Sequence, residues 1–447
     1  MPEFVELNEV KKVEKVAKNY QPTIYTLINN PFAFKYGQTP YSVGLCNLQY
    51  QKPEFKLPVP GEGLPRVLHY CADQSGCAFW RMIWPGDELL SHNKAAVMTL
   101  YQMVQFAPFY QGLDAVRLQR QCSEHQKDFI KWLRNVSDEM KRITGKTFKI
   151  IWEVDDLVLP FESICDYNAC RNAFKDPIIH ETVNELLTYV DEMTVVSPRM
   201  KEHYEKHTGF KKISVIPNYL PKPMIDIGFD VDRIMENYEA NKHKPRIVYA
   251  GSSTHFDVTN AVGQKDDFYH IVDFIIADII GPNKYQWVFL GGFPLKLMPF
   301  VQNGKIEYHQ WGAISDYLEL LRNLKGNIMI APLMDNDFSN AKANIKLTEG
   351  GTVGMPVVAQ NLDCYNRMDK WPWLFNTADE MFAHIDDLMS SAAKYKEAVL
   401  FAKDLSKNYH LKDHLDEYTL LYTTPYGDEK RKENSHFVKN NPDQFTK

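Results

Sequence analysis

Two lysines and one glutamate follow a short apolar strand pattern in the last third of the chain. Lys342, Lys346 and Glu349 lie in Ala341–Val353, whose pattern predicts one helix. Lysines four residues apart share a helical face, so both can neutralise phosphate. The helix start adds unpaired amides and a positive dipole end, and Glu349 offers a carboxylate to two ribose hydroxyls. The segment therefore indicates a nucleoside diphosphate site, with an ordinary solvated helix as the alternative.

A second polar stretch directly follows a strand pattern near the middle of the chain. It reads Tyr249-Ala-Gly251-Ser252-Ser-Thr254-His255. Glycine at position 251 lets the backbone approach a ligand closely, and the hydroxyls of Ser252 and Thr254 can donate to phosphate. The same residues also fit a plain strand-to-loop turn with a helix cap.

Three carboxylates end a buried strand pattern in the first half of the chain. They are Glu153, Asp155 and Asp156. In one interpretation Asp155 or Asp156 hydrogen-bonds the hydroxyl groups of a ligand, or acts as a general base. In a second, Glu153 and Asp155 hold Mg²⁺ or Mn²⁺. In a third, Asp156 only caps a helix.

These residues depend on elements that alternate between strand and helix. The alternation from Arg66 onward predicts parallel sheets with helices on both faces. A polar stretch that ends in proline, Glu236–Pro245, predicts a domain boundary near residue 240. We expect an arm and linker at 1–65, one domain at 66–240, a second with closing helices at 241–424, and a tail at 425–447. Two such domains in tandem place their strand ends across a cleft.

The segment Ile328–Ala359 resembles the donor-binding segment of retaining GT-B glycosyltransferases of the group 1/4 type. The likeness rests on the following residues: Pro332-Leu333, Phe338, Asn340, Lys342, Lys346, Glu349 and Gly354-Met-Pro356. It implies an α/β GT-B fold, with two Rossmann-like doubly wound domains facing a cleft. It also implies a hexosyl- or pentosyltransferase that moves a sugar from a nucleotide sugar, expected to be a UDP-sugar, to a hydroxyl. Many relatives have a carboxylate where this chain has Lys342.

The resemblance extends to other segments and implies roles for their residues. The implied donor-binding residues are Gly251, Ser252, Thr254, His255, Lys342, Asn344, Ile345, Lys346 and Glu349. The implied catalytic residues are Asp155, Asp156 and Lys346. The implied acceptor or sugar contacts, in the first loop and helix, are Asp73, Gly76 and Arg81. A capped helix with an exposed Arg81 is the alternative for the last group.

From the same resemblance we expect that no cofactor is required. Lys342 and Lys346 would offset the charge of the leaving diphosphate, so no divalent ion is needed. A metal at Glu153 and Asp155 is the less favoured alternative, because glycosyltransferases with such sites have a different fold.

Charge counts bear on the acceptor. Residues 117–149 carry nine lysines and arginines against four acids, and 199–212 carry five against two. Such stripes predict a groove for duplex DNA, with 5-hydroxymethylcytosine as acceptor as in phage DNA glycosyltransferases. Residues 150–192, with ten acids and two bases, oppose this. A glycan, lipid-linked sugar or protein hydroxyl is the alternative acceptor, and a non-catalytic nucleotide-binding module is the alternative function.

Composition sets the broad class of the protein. The 447 residues are 44% hydrophobic and carry a net charge of −6, which excludes wholesale disorder and a protein that coats nucleic acid. Seven cysteines, an odd number, favour a reducing compartment. No signal peptide or apolar run of about 18 residues is visible, so we expect a cytoplasmic protein, in the host cytoplasm if it is of phage origin.

Overall fold

The computed structural model describes residues 63–73, 75–158, 176–256, 266–368 and 371–424. Nearly all of the predicted arm at 1–65 and the whole predicted tail at 425–447 lie outside these ranges. The two sheets, with the helices and loops that connect their strands, carry all of the predicted site residues.

The first sheet contains six parallel strands within the described residues, in the order β2-β1-β3-β4-β5-β6. Their bounds are β1 Arg66–Tyr70, β2 Ala96–Leu100, β3 Ala115–Gln119, β4 Lys149–Val154, β5 Glu192–Val195 and β6 Ile213–Val215. Neighbouring residues of β1, Val67 and Leu68, belong to two different core clusters, so both faces of the sheet are covered. The order reverses between β1 and β3, where the carboxyl ends of the strands open a crevice.

The second sheet also has six parallel strands among the described residues, in the order β12-β11-β10-β7-β8-β9. Their bounds are β7 Arg246–Gly251, β8 Gln286–Gly291, β9 Glu307–His309, β10 Ile328–Ala331, β11 Val357–Gln360 and β12 Leu374–Phe375. This is the strand order of dinucleotide-binding domains, and it reverses between β7 and β10. The two sheets confirm the predicted doubly wound α/β architecture.

Helices connect the strands of each sheet. In the first half they are α1 Gly76–Ala78, α2 Trp84–Ser91, α3 Glu124–Thr144, α4 Pro177–Leu186, α5 Pro198–Thr208, α6 Lys222–Ile225 and α7 Val231–Asn241. In the second half they are α8 Val272–Ile280, α9 Met298–Gln302, α10 Tyr317–Asn323, α11 Asp337–Ala341, α12 Ile345–Val353, α13 Asp363–Asn366, α14 Ala378–Met389, α15 Ala392–Lys407 and α16 Leu415–Thr423. A π-helical turn, Phe79–Ile83, joins α1 to α2.

The predicted helix Ala341–Val353 begins later than expected, at Ile345, and only Ala341 belongs to the preceding helix. Helix α11 ends before Lys342, whose backbone is extended (φ −61°, ψ 165°), and α12 begins at Ile345. The guanidinium of Arg367 donates to the carbonyls of Asn340 and Lys342 at 2.7 and 2.9 Å. Because that side chain binds carbonyls that a continuous helix would use internally, it stabilises the break. The predicted helix is therefore confirmed over Ile345–Val353, and its predicted start at Ala341 was wrong.

The last helix, α16, packs on the first sheet although it follows the second domain in sequence. The hydroxyl of Tyr422 lies 2.8 Å from Nε2 of His69 in β1, and Nζ of Lys149 in β4 donates to the carbonyl of Leu421 at 2.6 Å. Helix α7, by contrast, packs on α15 of the second half, through Ile234 and Tyr238. The chain therefore crosses between its two halves twice.

A buried ion network lies on one face of the first sheet. Both oxygens of Glu153 accept from Arg81, at 2.6 and 3.1 Å, and Arg117 and Thr194 donate to the same carboxylate. Glu153, Arg81, Arg117 and Thr194 are all fully buried. Burial by itself raises the pKa of Glu153, but Arg81 and Arg117 outweigh it and leave that pKa lowered. The carboxylate is therefore held ionised between two guanidinium groups.

Replacing Glu153 tests this network. We expect Glu153→Ala to lower the free energy of unfolding by about 3–5 kcal/mol, because two guanidinium groups remain buried without their carboxylate. Urea unfolding followed by tryptophan fluorescence measures the change. As a control, Glu139→Ala removes an exposed partner of Arg142 and is expected to change nothing measurable. Equal unfolding midpoints for Glu153→Ala and the wild type would contradict the assignment.

Candidate functional site

The two predicted donor lysines do not share a helical face, contrary to the sequence analysis. Lys342 lies in the extended break after α11, and Lys346 lies in the first turn of α12. Both nevertheless act on one neighbour, because the positive charge of each lowers the pKa of His255. Tertiary folding, and not helical spacing, thus brings the two charges to one place.

The start of α12 presents unpaired amides. Asn344 precedes the helix, but its side chain does not cap it and donates instead to the hydroxyl of Tyr409 at 2.8 Å. Within the part of the chain that the structure describes, the amides of Ile345 and Lys346 donate to no acceptor. Two free amides at the positive end of a nine-residue helix are suited to phosphate oxygens.

Glu349 lies one turn into α12 and is held by two partners. Its Oε2 accepts from Nζ of Lys346 at 3.0 Å and from the hydroxyl of Tyr317 at 2.8 Å. Only 3% of the Glu349 residue is exposed. Sequence reasoning missed Tyr317, since it belongs to another helix, α10, and no local pattern connects it to Glu349.

The ends of β7 and β8 meet beside these side chains. The amide of Gly292 donates to the carbonyl of Gly251 at 2.8 Å. Gly291 has a φ of +99°, and a Cβ there would lie 2.6 Å from the ring of Trp311, so both conformation and space require glycine. Beyond Gly251, the hydroxyls of Ser252 and Thr254 lie 2.6 Å apart in an exposed turn. The backbones at the ends of β7 and β8 therefore lie close together, and the turn after β7 carries two hydroxyl groups.

His255 connects the end of β7 to the end of β10. Its Nδ1 lies 2.7 Å from Oδ2 of Asp267, whose other oxygen accepts from the amide of Met334 at 2.8 Å. Burial and then the charge of Lys342 lower the pKa of His255 to about 4, although the Asp267 carboxylate raises it. His255 is therefore neutral at pH 7 and leaves the positive charge to the two lysines.

In the first domain, four charged residues meet where β1, β3 and β4 end. Arg120 lies 3.1 Å from Asp73, 3.4 Å from Asp155 and 3.3 Å from Asp156. Burial raises the pKa of Asp155, Arg120 lowers it, and Asp156 raises it further, so the net shift is upward. Sequence analysis did not single out Arg120, whose φ of +40° is uncommon for this residue type and whose role depends on three separate loops.

Arg81 does not reach the cleft that it was predicted to line. Besides its two bonds to Glu153, it donates to the carbonyl of Ile216 at 2.6 Å and to Oδ1 of Asn218 at 2.9 Å. The side chain is fully buried, so an acceptor has no access to it. The predicted acceptor contact at Arg81 was wrong, because its charge is satisfied inside the first domain. The same bonds occupy Glu153, which leaves it no free oxygen for a metal ion.

Gly76 does lie at the junction of the two halves. A Cβ on Gly76 would lie 3.6 Å from Cδ1 of Ile314, which belongs to the second half of the chain. On another side of the junction, the hydroxyl of Ser197 donates to the carbonyl of Ala341 at 2.7 Å. The helix pair that carries the lysines is therefore in contact with the first domain.

Only part of the basic stretch at 117–149 lies on the surface, where Lys131, Lys141, Arg142 and Lys146 are exposed. Arg117, Arg134 and Lys149 are buried, and Arg120 contacts three carboxylates. The partners of the buried three are Glu153, Asp191 and Glu192. A count of charges along the chain could not show that these three bases point inward.

The sequence matches no protein-family model and no curated protein sequence. Several solved structures are nevertheless similar to this chain. HepE of Anabaena, crystallised with UDP, is 9% identical over 81% of this chain and 100% of its own, with a TM-score of 0.50. TarM is 10% identical over 71% of this chain and 57% of its own, with a TM-score of 0.45. The wall teichoic acid polymerase TagF is 8% identical over 96% and 99%, with a TM-score of 0.37.

The likeness to HepE, together with the two parallel sheets, shows a GT-B fold of two Rossmann-like domains. This confirms the fold expected from the sequence. No helix in the described ranges is long and apolar enough to cross a membrane.

Proposed function

We propose that this protein is a glycosyltransferase that moves a sugar from a nucleotide sugar to a hydroxyl group. The observation that carries the proposal is the meeting of Lys346, Glu349 and the unpaired amides of α12 near the switch point between β7 and β10. UDP is the first nucleotide to test, since HepE shares the fold and binds it. Retention of anomeric configuration is part of the proposal and rests on the motif resemblance alone.

In the proposed reaction, the second domain stabilises the leaving diphosphate. The amides of Ile345 and Lys346 and the ammonium groups of Lys342 and Lys346 would bind its oxygens as negative charge develops. The Gly251, Ser252 and Thr254 turn would support the phosphates, and Glu349 would bind the ribose. In the first domain, Asp155 and Asp156 would bind the acceptor hydroxyl, and the raised pKa of Asp155 suits a group that takes up a proton.

Substitutions in α12 test the donor site. We expect Lys346→Ala and Glu349→Ala each to lower kcat/KM for donor hydrolysis by about 30- to 1000-fold, since a charge-assisted contact contributes about 2–4 kcal/mol to the transition state. Release of nucleoside diphosphate from a panel of nucleotide sugars measures this without an acceptor.

The matched controls are Lys407→Ala and Glu319→Ala, which remove exposed charges with salt-bridge partners elsewhere. Both are expected to keep wild-type activity. Wild-type turnover in the two α12 variants would remove the donor-site assignment. Nucleotide binding by the wild type without any turnover would favour the alternative of a non-catalytic nucleotide-binding module.

We also propose that no divalent ion is required. Lys342 and Lys346 can offset the diphosphate charge, and both oxygens of Glu153 are already bonded to arginine. Donor hydrolysis is therefore expected to be equal with EDTA and with added Mn²⁺. Complete loss of activity on chelation, restored by Mn²⁺, would be the contrary result.

The proposed acceptor is an uncharged hydroxyl of a glycan, a lipid-linked sugar or a protein. At the edge of the first sheet, three carboxylates surround one guanidinium group, so the local charge is negative. Such a site suits neutral hydroxyls and repels phosphate. Hydroxymethylcytosine in DNA, predicted from two basic stretches, loses part of its support because Arg117, Arg134 and Lys149 are buried.

Transfer of a labelled sugar distinguishes the acceptors. We expect label on neutral oligosaccharides or protein hydroxyls, with little change between low and moderate salt. Duplex DNA with hydroxymethylcytosine is the comparison substrate, and unmodified DNA is its control. Transfer to the modified DNA that falls steeply as salt rises would establish the DNA acceptor and overturn the uncharged one.

A further inference from the structure

We propose that Tyr317 is a positioning residue that fixes Glu349 for recognition of the donor ribose, an inference that rests on the proposed function. Tyr317 belongs to α10, which precedes β10, and it is not part of the α12 motif. It acts through Glu349 and Lys346.

The phenol hydroxyl joins the two charged side chains of α12. It donates to Oε2 of Glu349 at 2.8 Å and accepts from Nζ of Lys346 at 3.3 Å. Lys346 also donates directly to the same Oε2 at 3.0 Å. In the described part of the chain Oε1 accepts no hydrogen bond, so one carboxylate oxygen is anchored and the other is available. Two lone pairs on that oxygen match the two hydroxyls of a ribose.

The position of the Tyr317 ring is itself determined by packing. Trp311 stacks on it with ring centroids 4.8 Å apart and an interplanar angle of 26°. Nζ of Lys346 lies 5.5 Å from the centroid of the same ring. Tyr317 is buried, while Trp311 is 38% exposed and closely approaches Gly291 at the end of β8. The hydroxyl is therefore held in place by residues from another strand end.

Removal of that hydroxyl has a specific consequence. Among the described residues, Lys346 is then the one remaining hydrogen-bond partner of Glu349, and a carboxylate with a single partner can rotate within its site. Nζ of Lys346 would lose its contact with the Tyr317 hydroxyl and keep its contact with Glu349. The way Lys346 binds phosphate would therefore change as well. Recognition of the ribose hydroxyls should therefore weaken more than recognition of the base or the diphosphate.

The test compares UDP with 2′-deoxy-UDP by titration calorimetry. In the wild type we expect UDP to bind at least about tenfold more tightly, as one hydrogen bond to a charged group predicts. Tyr317→Phe, which removes one oxygen atom, should reduce this preference severalfold. The matched control is Tyr395→Phe, because that hydroxyl donates to the carbonyl of Asn327 in the same domain, at 2.8 Å. It should keep the wild-type preference.

A further arm combines Tyr317→Phe with Glu349→Ala. If Tyr317 acts through Glu349, adding Tyr317→Phe to Glu349→Ala should have no further effect. The double variant should therefore show the same preference for UDP over 2′-deoxy-UDP as Glu349→Ala alone. Trp311→Leu removes the ring that stacks on Tyr317 and should also reduce the preference for UDP. This variant keeps the test valid if Tyr317→Phe does not fold.

Three outcomes would overturn the inference. A full wild-type preference for UDP in Tyr317→Phe, or in Trp311→Leu where only that variant folds, would show that the hydroxyl does not position Glu349. Equal binding of the two nucleotides by the wild type would remove the ribose contact while leaving the proposed function intact. Absence of UDP binding and of donor hydrolysis by the wild type would overturn the proposed function, and this inference with it.

Discussion

Two buried arginines share the carboxylate of Glu153, and the arrangement of the first domain depends on that contact. Arg81 extends it to the carbonyl of Ile216 and to Asn218, where the chain leaves the first sheet. The guanidinium of Arg117 also lies 5.4 Å from the ring centroid of Tyr418 in the last helix. One carboxylate thus connects a central strand, the exit of the first domain and the helix that returns to it. Because all three charges are buried, removal of the carboxylate would leave two guanidinium groups in the core without their counter-ion.

The strand order of each sheet reverses at one place, and a different set of side chains lies at each reversal. In the second sheet the reversal lies between β7 and β10, where hydroxyls, free amides and two lysines suit an anionic donor. In the first sheet it lies between β1 and β3, where carboxylates around Arg120 suit hydroxyls. Opposite charges on the two sides of one junction would orient the proposed donor and the proposed acceptor before any reaction.

Aromatic packing extends the proposed donor site beyond its charged residues. Trp311 and Tyr317 come from the segment between β9 and β10, and they reach α12 because parallel strands end at one edge. Gly291, at the end of β8, lies against Trp311, and Trp311 packs on Tyr317, whose hydroxyl donates to Glu349. A charged motif on a short helix therefore relies on neighbours that lie outside the motif.

The sequence by itself determined the alternation of strands and helices, because apolar runs and turn residues are local signals. It also determined that Lys346 and Glu349 lie on one face, since three residues span about one helical turn. Only the tertiary structure decided that Tyr317, 29 residues from Lys346, contacts both, that Arg120 gathers carboxylates from separate loops, and that Arg81 is buried. Such contacts depend on which strand ends meet and on which side chains the packed core encloses. No pattern within a short stretch of sequence specifies either.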